Sequence, residues 1–211
     1  MSLECDLVIV SATAAAVYGG LLAGRPPSPV RNLMGAAAVG GLAGLAYVAG
    51  AQLQLSLALG LGMLGDGLLA GEPRRWSTAG LAALLAGLAC YVWLFLEDGG
   101  GRAALLAEPW RNLGVAGAMA AGAAMLLGLW RGGGPSKFAA AALAVLQTAV
   151  TACAFTLPHQ LWPAMVGAPG LMASSALLAG ERLGLRSWWS PYLRWWLYFA
   201  SQAMIAWAYL R

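Results

Sequence analysis

Twenty of the 211 residues carry a charge at neutral pH, and nineteen of these fall in loops or at the ends of apolar runs. The exception is Asp66, which lies between Gly65 and Gly67 inside an apolar run. A carboxylate near a bilayer centre costs about 2.5–3.5 kcal/mol on insertion scales, so such a group faces the bundle interior and marks a functional site. The flanking glycines leave space beside it for a substrate or another backbone. Asp66 lies eight residues before Arg74, Ser174 and Ser175 lie eight and seven before Arg182, and Gln202 lies eight after Arg194. At a rise of about 1.5 Å per residue, each sits roughly 10–12 Å from its arginine, so the four form one layer. Tyr198 and Gln202 are four apart and share a helix face. The reading is a polar pocket reached from the cytoplasmic leaflet. The same Ser, Gln and Tyr groups would also serve as hydrogen-bonding glue between helices, with Asp66 as a tie.

The elements that must carry this layer follow from composition. Hydrophobic residues make up 61% of the chain and charged residues 9%, against about a quarter charged in a soluble domain. That excludes a soluble globular enzyme and a disordered chain. The net charge of +4 comes from basic residues too scattered to follow a phosphate backbone, so no nucleic-acid partner is expected. Eight apolar runs are read at 6–24, 33–50, 53–71, 77–96, 112–130, 138–157, 163–180 and 192–210, separated by segments such as RPPSPVR and EDGGGR. At about 20 residues per span they consume most of the chain. The expected fold is all-α, a polytopic transmembrane helix bundle of about eight spans, in a single domain over 1–211.

Basic residues set the expected orientation. Loops on one side hold Arg25, Arg31, Arg74, Arg75, Arg131, Lys137, Arg182, Arg186 and Arg194, and the other side holds Arg102, Arg111 and Arg211. Nine against three puts both termini outside the cytoplasm, in a bacterial inner membrane. The opening residues carry Glu4 and Asp6 where a signal peptide needs basic ones, so none is expected. Trp76, Trp110, Trp130, Trp162, Trp188, Trp189, Trp195 and Trp196 lie near run ends and are read as headgroup-level anchors. Ala36/Gly40/Gly44 and Gly114/Ala118/Gly122 are read as packing stripes. GMLGDGLLAGE at 62–72 echoes LMASSALLAGE at 171–181, as a 4+4 duplication would produce, although LLAG also occurs at 21–24 and 84–87. Cys5, Cys90 and Cys153 read as small apolar side chains, and His159 as an interfacial residue at the end far from Asp66. No metal-ligand cluster or nucleotide fingerprint is present, so no cofactor is expected.

LGLGMLGDGLLAG (59–71), MASSALLAGERL (172–183) and YFASQAMIAWAYLR (198–211) together resemble motifs of the lysoplasmalogenase-like membrane family, which includes the YhhN-type proteins. The resemblance extends over the whole length in span number and order, and its specific part is confined to these three segments. It implies hydrolysis of the vinyl-ether bond of lysoplasmalogens to a fatty aldehyde and a glycerophospho-headgroup. Carried over residue by residue, it makes Asp66 and Ser175 the catalytic positions, with Gly65, Ser174, Tyr198 and Gln202 binding substrate. The expected partner is a lysophospholipid or other single-chain amphiphile, beside membrane lipid.

Three departures bear on that expectation. A second Asp of the family falls on Ser175, a Lys-Pro near the second span is echoed only by Arg25-Pro26, and an Ala-His pair in the fourth reads Ala86-Gly87. Vinyl-ether cleavage needs a proton on the alkene carbon and then water on an oxocarbenium-like centre. Asp66 suits the first step as general acid. Ser175 can hold water but brings no negative charge, and Glu181 lies six residues further on. A non-catalytic lipid-binding or membrane-organising protein with the same fold is the alternative.

Overall fold

The computed structural model describes residues 3–70, 74–132, 137–182, 184 and 187–210, and among these every regular element is helical. The elements are α1 (Leu3–Val17, continued by a π-helical turn Tyr18–Leu22), α2 (Pro29–Val48), α3 (Leu53–Ala70) and α4 (Arg74–Asp98). They continue with α5 (Gly101–Ala107), α6 (Pro109–Gly132), α7 (Lys137–Ala154), α8 (Trp162–Arg182) and α9 (Ser190–Tyr209). The eight long helices coincide with the eight apolar runs. The short α5 is additional: the reading left 97–111 as connection, but α4 continues through Glu97 and Asp98. Those two carboxylates accept from Gln54 and Gln52 at the start of α3, which lets the helix end on its charges.

Three helical stretches, Leu3–Leu22, Thr78–Asp98 and His159–Glu181, are long and apolar enough to cross a membrane. The outer surface fits that medium. Val8, Ile9, Trp93, Leu113 and Phe138 all point outward, with Leu113 76% exposed. The protein is a membrane protein.

Small residues bring consecutive helices together, head to tail. Ser11 Oγ donates to Ala38 O at 2.6 Å, and Gly41 faces Ser11, joining α1 to α2. A Cβ on Gly65 would lie 2.9 Å from Gly80 O, and one on Gly87 would lie 3.0 Å from Ala58 O, so α3 and α4 touch through their backbones. Between α8 and α9, Gly167 meets the backbone carbonyl of Ser201 and Gly170 meets its hydroxyl. On the Gly114/Ala118/Gly122 stripe, Gly122 packs α6 on Thr148 of α7 and Gly114 packs on Phe155, just past the end of α7. The Ala36/Gly40/Gly44 stripe is not one surface: Gly40 faces Met63 of α3, Gly44 faces Leu7 of α1, and Ala36 lines a cavity.

The two ends of the bundle differ. One is filled by Leu55, Leu59, Leu94, Phe95, Val150, Leu157 and Ile205. Near this end Arg111, only 3% exposed, donates to Phe155 O and Leu157 O and pairs with Glu108 Oε1 at 3.1 Å. The Arg111 hydrogen bond holds the exposed Glu108 carboxyl below its ordinary range. His159 is exposed at this same end, in the connection between α7 and α8. The other end, where α1, α3, α6 and α8 finish, contains the cavity.

Two expectations fall partly outside the description. Arg186 and Arg211 are not among the described residues, nor are the side chains of Arg74, Arg75, Trp76, Trp130, Arg131, Lys137 and Arg182. Trp195 is a correction. It is no headgroup anchor but is 7% exposed, stacks on Tyr18 with ring centroids 3.9 Å apart, and donates from Nε1 to Ala15 O. Its neighbour Trp196 remains 43% exposed on the outer face. The three cysteines form no disulfide.

Candidate functional site

Helices α2, α3, α4, α7, α8 and α9 enclose a cavity of about 990 Å³, with Met125 of α6 and Tyr18 completing its wall. Its lining comes from the N-terminal parts of α2, α7 and α9 and the C-terminal parts of α3 and α8. The packed apolar end of the bundle therefore closes its floor. Asp66, Ser174, Ser175, Tyr198 and Gln202, singled out from the sequence on three separate helices, all line this one space.

Each polar group has a distinct environment. Tyr91 Oη of α4 donates to Gln202 Oε1, so the amide of Gln202 is fixed across the bundle and is only 3% exposed. The Tyr198 hydroxyl, one turn nearer the open end, approaches the Asp66 carboxyl and the Gln202 amide. It closes a well-formed hydrogen bond with neither and is buried without a partner. Gly62 lies beside it: a Cβ there would sit in ordinary van der Waals contact, 3.6 Å from the hydroxyl oxygen. Ser174 Oγ donates to Arg194 O at 3.0 Å and ties α8 to α9. Ser175 Oγ turns back to Leu171 O of its own helix at 3.2 Å.

Gly65, expected beside the substrate, does not line the cavity. It faces Leu84 and Gly80 and sets the α3–α4 distance. Gly67 has nothing within 4 Å of the position a Cβ would take.

Sequence reasoning passed over four lining residues. Arg194 served only as a loop-end charge and depth marker, yet it lines the cavity and its charge acts on Asp66. It lies four and eight residues before Tyr198 and Gln202, so the spacing that grouped those two would have added it. Tyr91 and Gln147 lie inside apolar runs with no charged neighbour to draw notice. Trp195 was hidden by the habit of placing tryptophans at the headgroups. Among the described residues no group of three or more His, Cys, Asp or Glu side chains is placed to hold a metal ion.

The arrangement combines one carboxyl, one arginine, three phenols, two serines and apolar walls in a space large enough for an amphiphile. A carboxyl in such a site can deliver a proton to a bound ligand, and the phenol beside it can bond a ligand oxygen. Neither a curated protein nor a solved structure matches the chain. The model of the YhhN family, which includes lysoplasmalogenases, matches residues 25–209, a span that contains every lining residue but Tyr18. With a match over that much of its length, the chain belongs to the YhhN family.

Proposed function

We propose that the protein is a membrane-embedded hydrolase that cleaves the vinyl-ether bond of lysoplasmalogen-like lysophospholipids. Asp66, the general acid, protonates the alkene carbon next to the chain, and the resulting oxocarbenium ion takes up water. The hemiacetal then collapses to a fatty aldehyde and the free hydroxyl of the glycerophospho-headgroup. Tyr198 orients the ether oxygen, and Ser174 and Gln202 hold the shape of the wall. The observation that carries this reading is the meeting of Asp66 with Tyr198, Gln202 and both serines in one cavity. Family membership supports it.

The topology proposed with it is eight spans in a bacterial inner membrane, with both termini outside the cytoplasm. The glycine-joined α3–α4 and α8–α9 pairs support a 4+4 origin.

A second reading, lipid binding without turnover, is favoured by one contact. Ser175, where the family resemblance expects a carboxylate, spends its hydroxyl proton on Leu171 O and brings no negative charge to activate water. Purified protein incubated with an alkenyl lysophospholipid separates the two. Aldehyde release by the wild type, reduced about 10²–10⁴-fold in Asp66→Asn, is the expected result. Release that survives Asp66→Asn overturns the assignment of the acid. A silent wild type with an active Ser175→Asp variant establishes the second reading.

A further inference from the structure

We infer that Arg194 is a phosphate anchor, the side chain that holds the headgroup phosphate of a single-chain lipid at the open end of the bundle. The inference rests on the reading of the cavity as a lipid site and names the group that selects the lipid.

The Arg194 side chain is about three-quarters buried, at 24% exposure, and lines the cavity. Its counter-charge is weakly engaged. Nη1 lies 3.5 Å from Glu181 Oε2, longer than the roughly 2.7–2.9 Å of a charge-assisted hydrogen bond. The other Glu181 oxygen is already held by Ser190 Oγ at 2.8 Å. Among the described residues that single contact is the only ion pair of the guanidinium, which leaves most of its five N–H donors open.

Arg111 shows what a purely structural arginine looks like in this chain. Its donors reach Phe155 O, Leu157 O and Glu108 Oε1. Arg31, near the same end as Arg194, is likewise committed, to Tyr18 Oη at 3.2 Å and Arg25 O at 2.7 Å. Arg194 alone of these three faces the cavity with unused donors. A planar fork of donors fits two oxygens of a phosphate, and Asn32 and Thr78 line the same space as further polar partners.

The helix register fits the ligand. Tyr198 lies one turn further along α9, about 6 Å by helical rise. In a glycerol lysolipid the phosphorus and the ether oxygen are joined by single bonds that extend about 6 Å. A phosphate on Arg194 therefore brings the ether oxygen level with Tyr198, next to Asp66. A neutral amphiphile such as a monoacylglycerol leaves the guanidinium without an anion.

The test measures binding, not turnover. Full-length protein in a nonionic detergent is titrated with palmitoyl lysophosphatidylethanolamine and with palmitoylglycerol, and bound lipid is counted by native mass spectrometry. Both are ester-linked, so vinyl-ether chemistry does not consume them. The wild type is expected to prefer the phospholipid by roughly tenfold or more. Arg194→Gln brings that preference close to one without weakening palmitoylglycerol binding, which also shows that the variant is folded. Glu181→Gln, which frees the guanidinium, raises phospholipid affinity several-fold.

Equal binding of the two lipids by wild type, or a preference that persists in Arg194→Gln, overturns the anchor. Displacement of the lipid by inorganic phosphate as effectively as by lysophospholipid assigns the site to a soluble anion and overturns the lipid headgroup. The hydrolase reading fails separately: a phospholipid preference dependent on Arg194, with no aldehyde released from any vinyl ether, keeps the anchor and removes the reaction.

Discussion

Tyr91 and Tyr198 invite opposite expectations although both are tyrosines on the wall of one space. Tyr91 donates to the carbonyl oxygen of Gln202, an amide 3% exposed, whereas the Tyr198 hydroxyl is buried without a closed hydrogen bond. Removing a donor from a buried acceptor costs about 1–3 kcal/mol, but removing a hydroxyl that satisfies nothing costs little. Tyr91→Phe is therefore expected to lower the thermal midpoint in detergent markedly, and Tyr198→Phe to change stability by no more than about 0.5 kcal/mol. Lysolipid binding should reverse the order, with Tyr198→Phe the more damaging. A Tyr198→Phe protein as destabilised as Tyr91→Phe would mean that the hydroxyl is structural and not kept for a ligand.

At the level of the helices, the glycine beside the acid does a different task from the one its position invites. The family resemblance put Gly65 among the substrate-binding positions, but consecutive helical residues point about 100° apart, so Gly65 need not face what Asp66 faces. Gly65 faces α4, where an added Cβ would press on the carbonyl of Gly80 at 2.9 Å, an atom that backbone geometry does not let yield. Gly65→Ala is expected to cost about 1–3 kcal/mol by overpacking, read as a lower thermal midpoint. Gly60, also on α3, has nothing within 4 Å of its added Cβ. Gly60→Ala should be neutral or stabilising by up to about 1 kcal/mol, since alanine is the better helix former. Equal effects at the two sites would contradict the close α3–α4 contact.

For the whole molecule, what was legible in the sequence is what a bilayer imposes. Long apolar runs had to be helices, and charges had to lie at their ends, so the eight runs and the eight long helices agree. The depth argument was also legible: counting from the arginines brought Asp66, Ser174, Ser175 and Gln202 into one layer, the four-residue spacing to Gln202 added Tyr198, and all five line the cavity. Less was readable where a side chain's direction depends on a neighbouring helix. Arg194 turns inward and Trp195 packs under Tyr18, yet in the sequence each looks like any residue at a span end. The seven residues of α5 carry too short a pattern to distinguish helix from loop.

The same bilayer logic gives the last expectation. The cavity lies at the end of the bundle where α1, α3, α6 and α8 finish, and nine of the twelve basic residues fall in the connections at that end or in the helix turns next to them. Basic loops are retained in the cytoplasm, so the cavity should open to the inner leaflet and both termini should lie on the opposite side. Fusion of a reporter that is fluorescent only in the cytoplasm should be dark at the C-terminus and bright when inserted between α3 and α4. The reverse pattern would turn the cavity toward the outer leaflet, and its lipid would then have to come from that side.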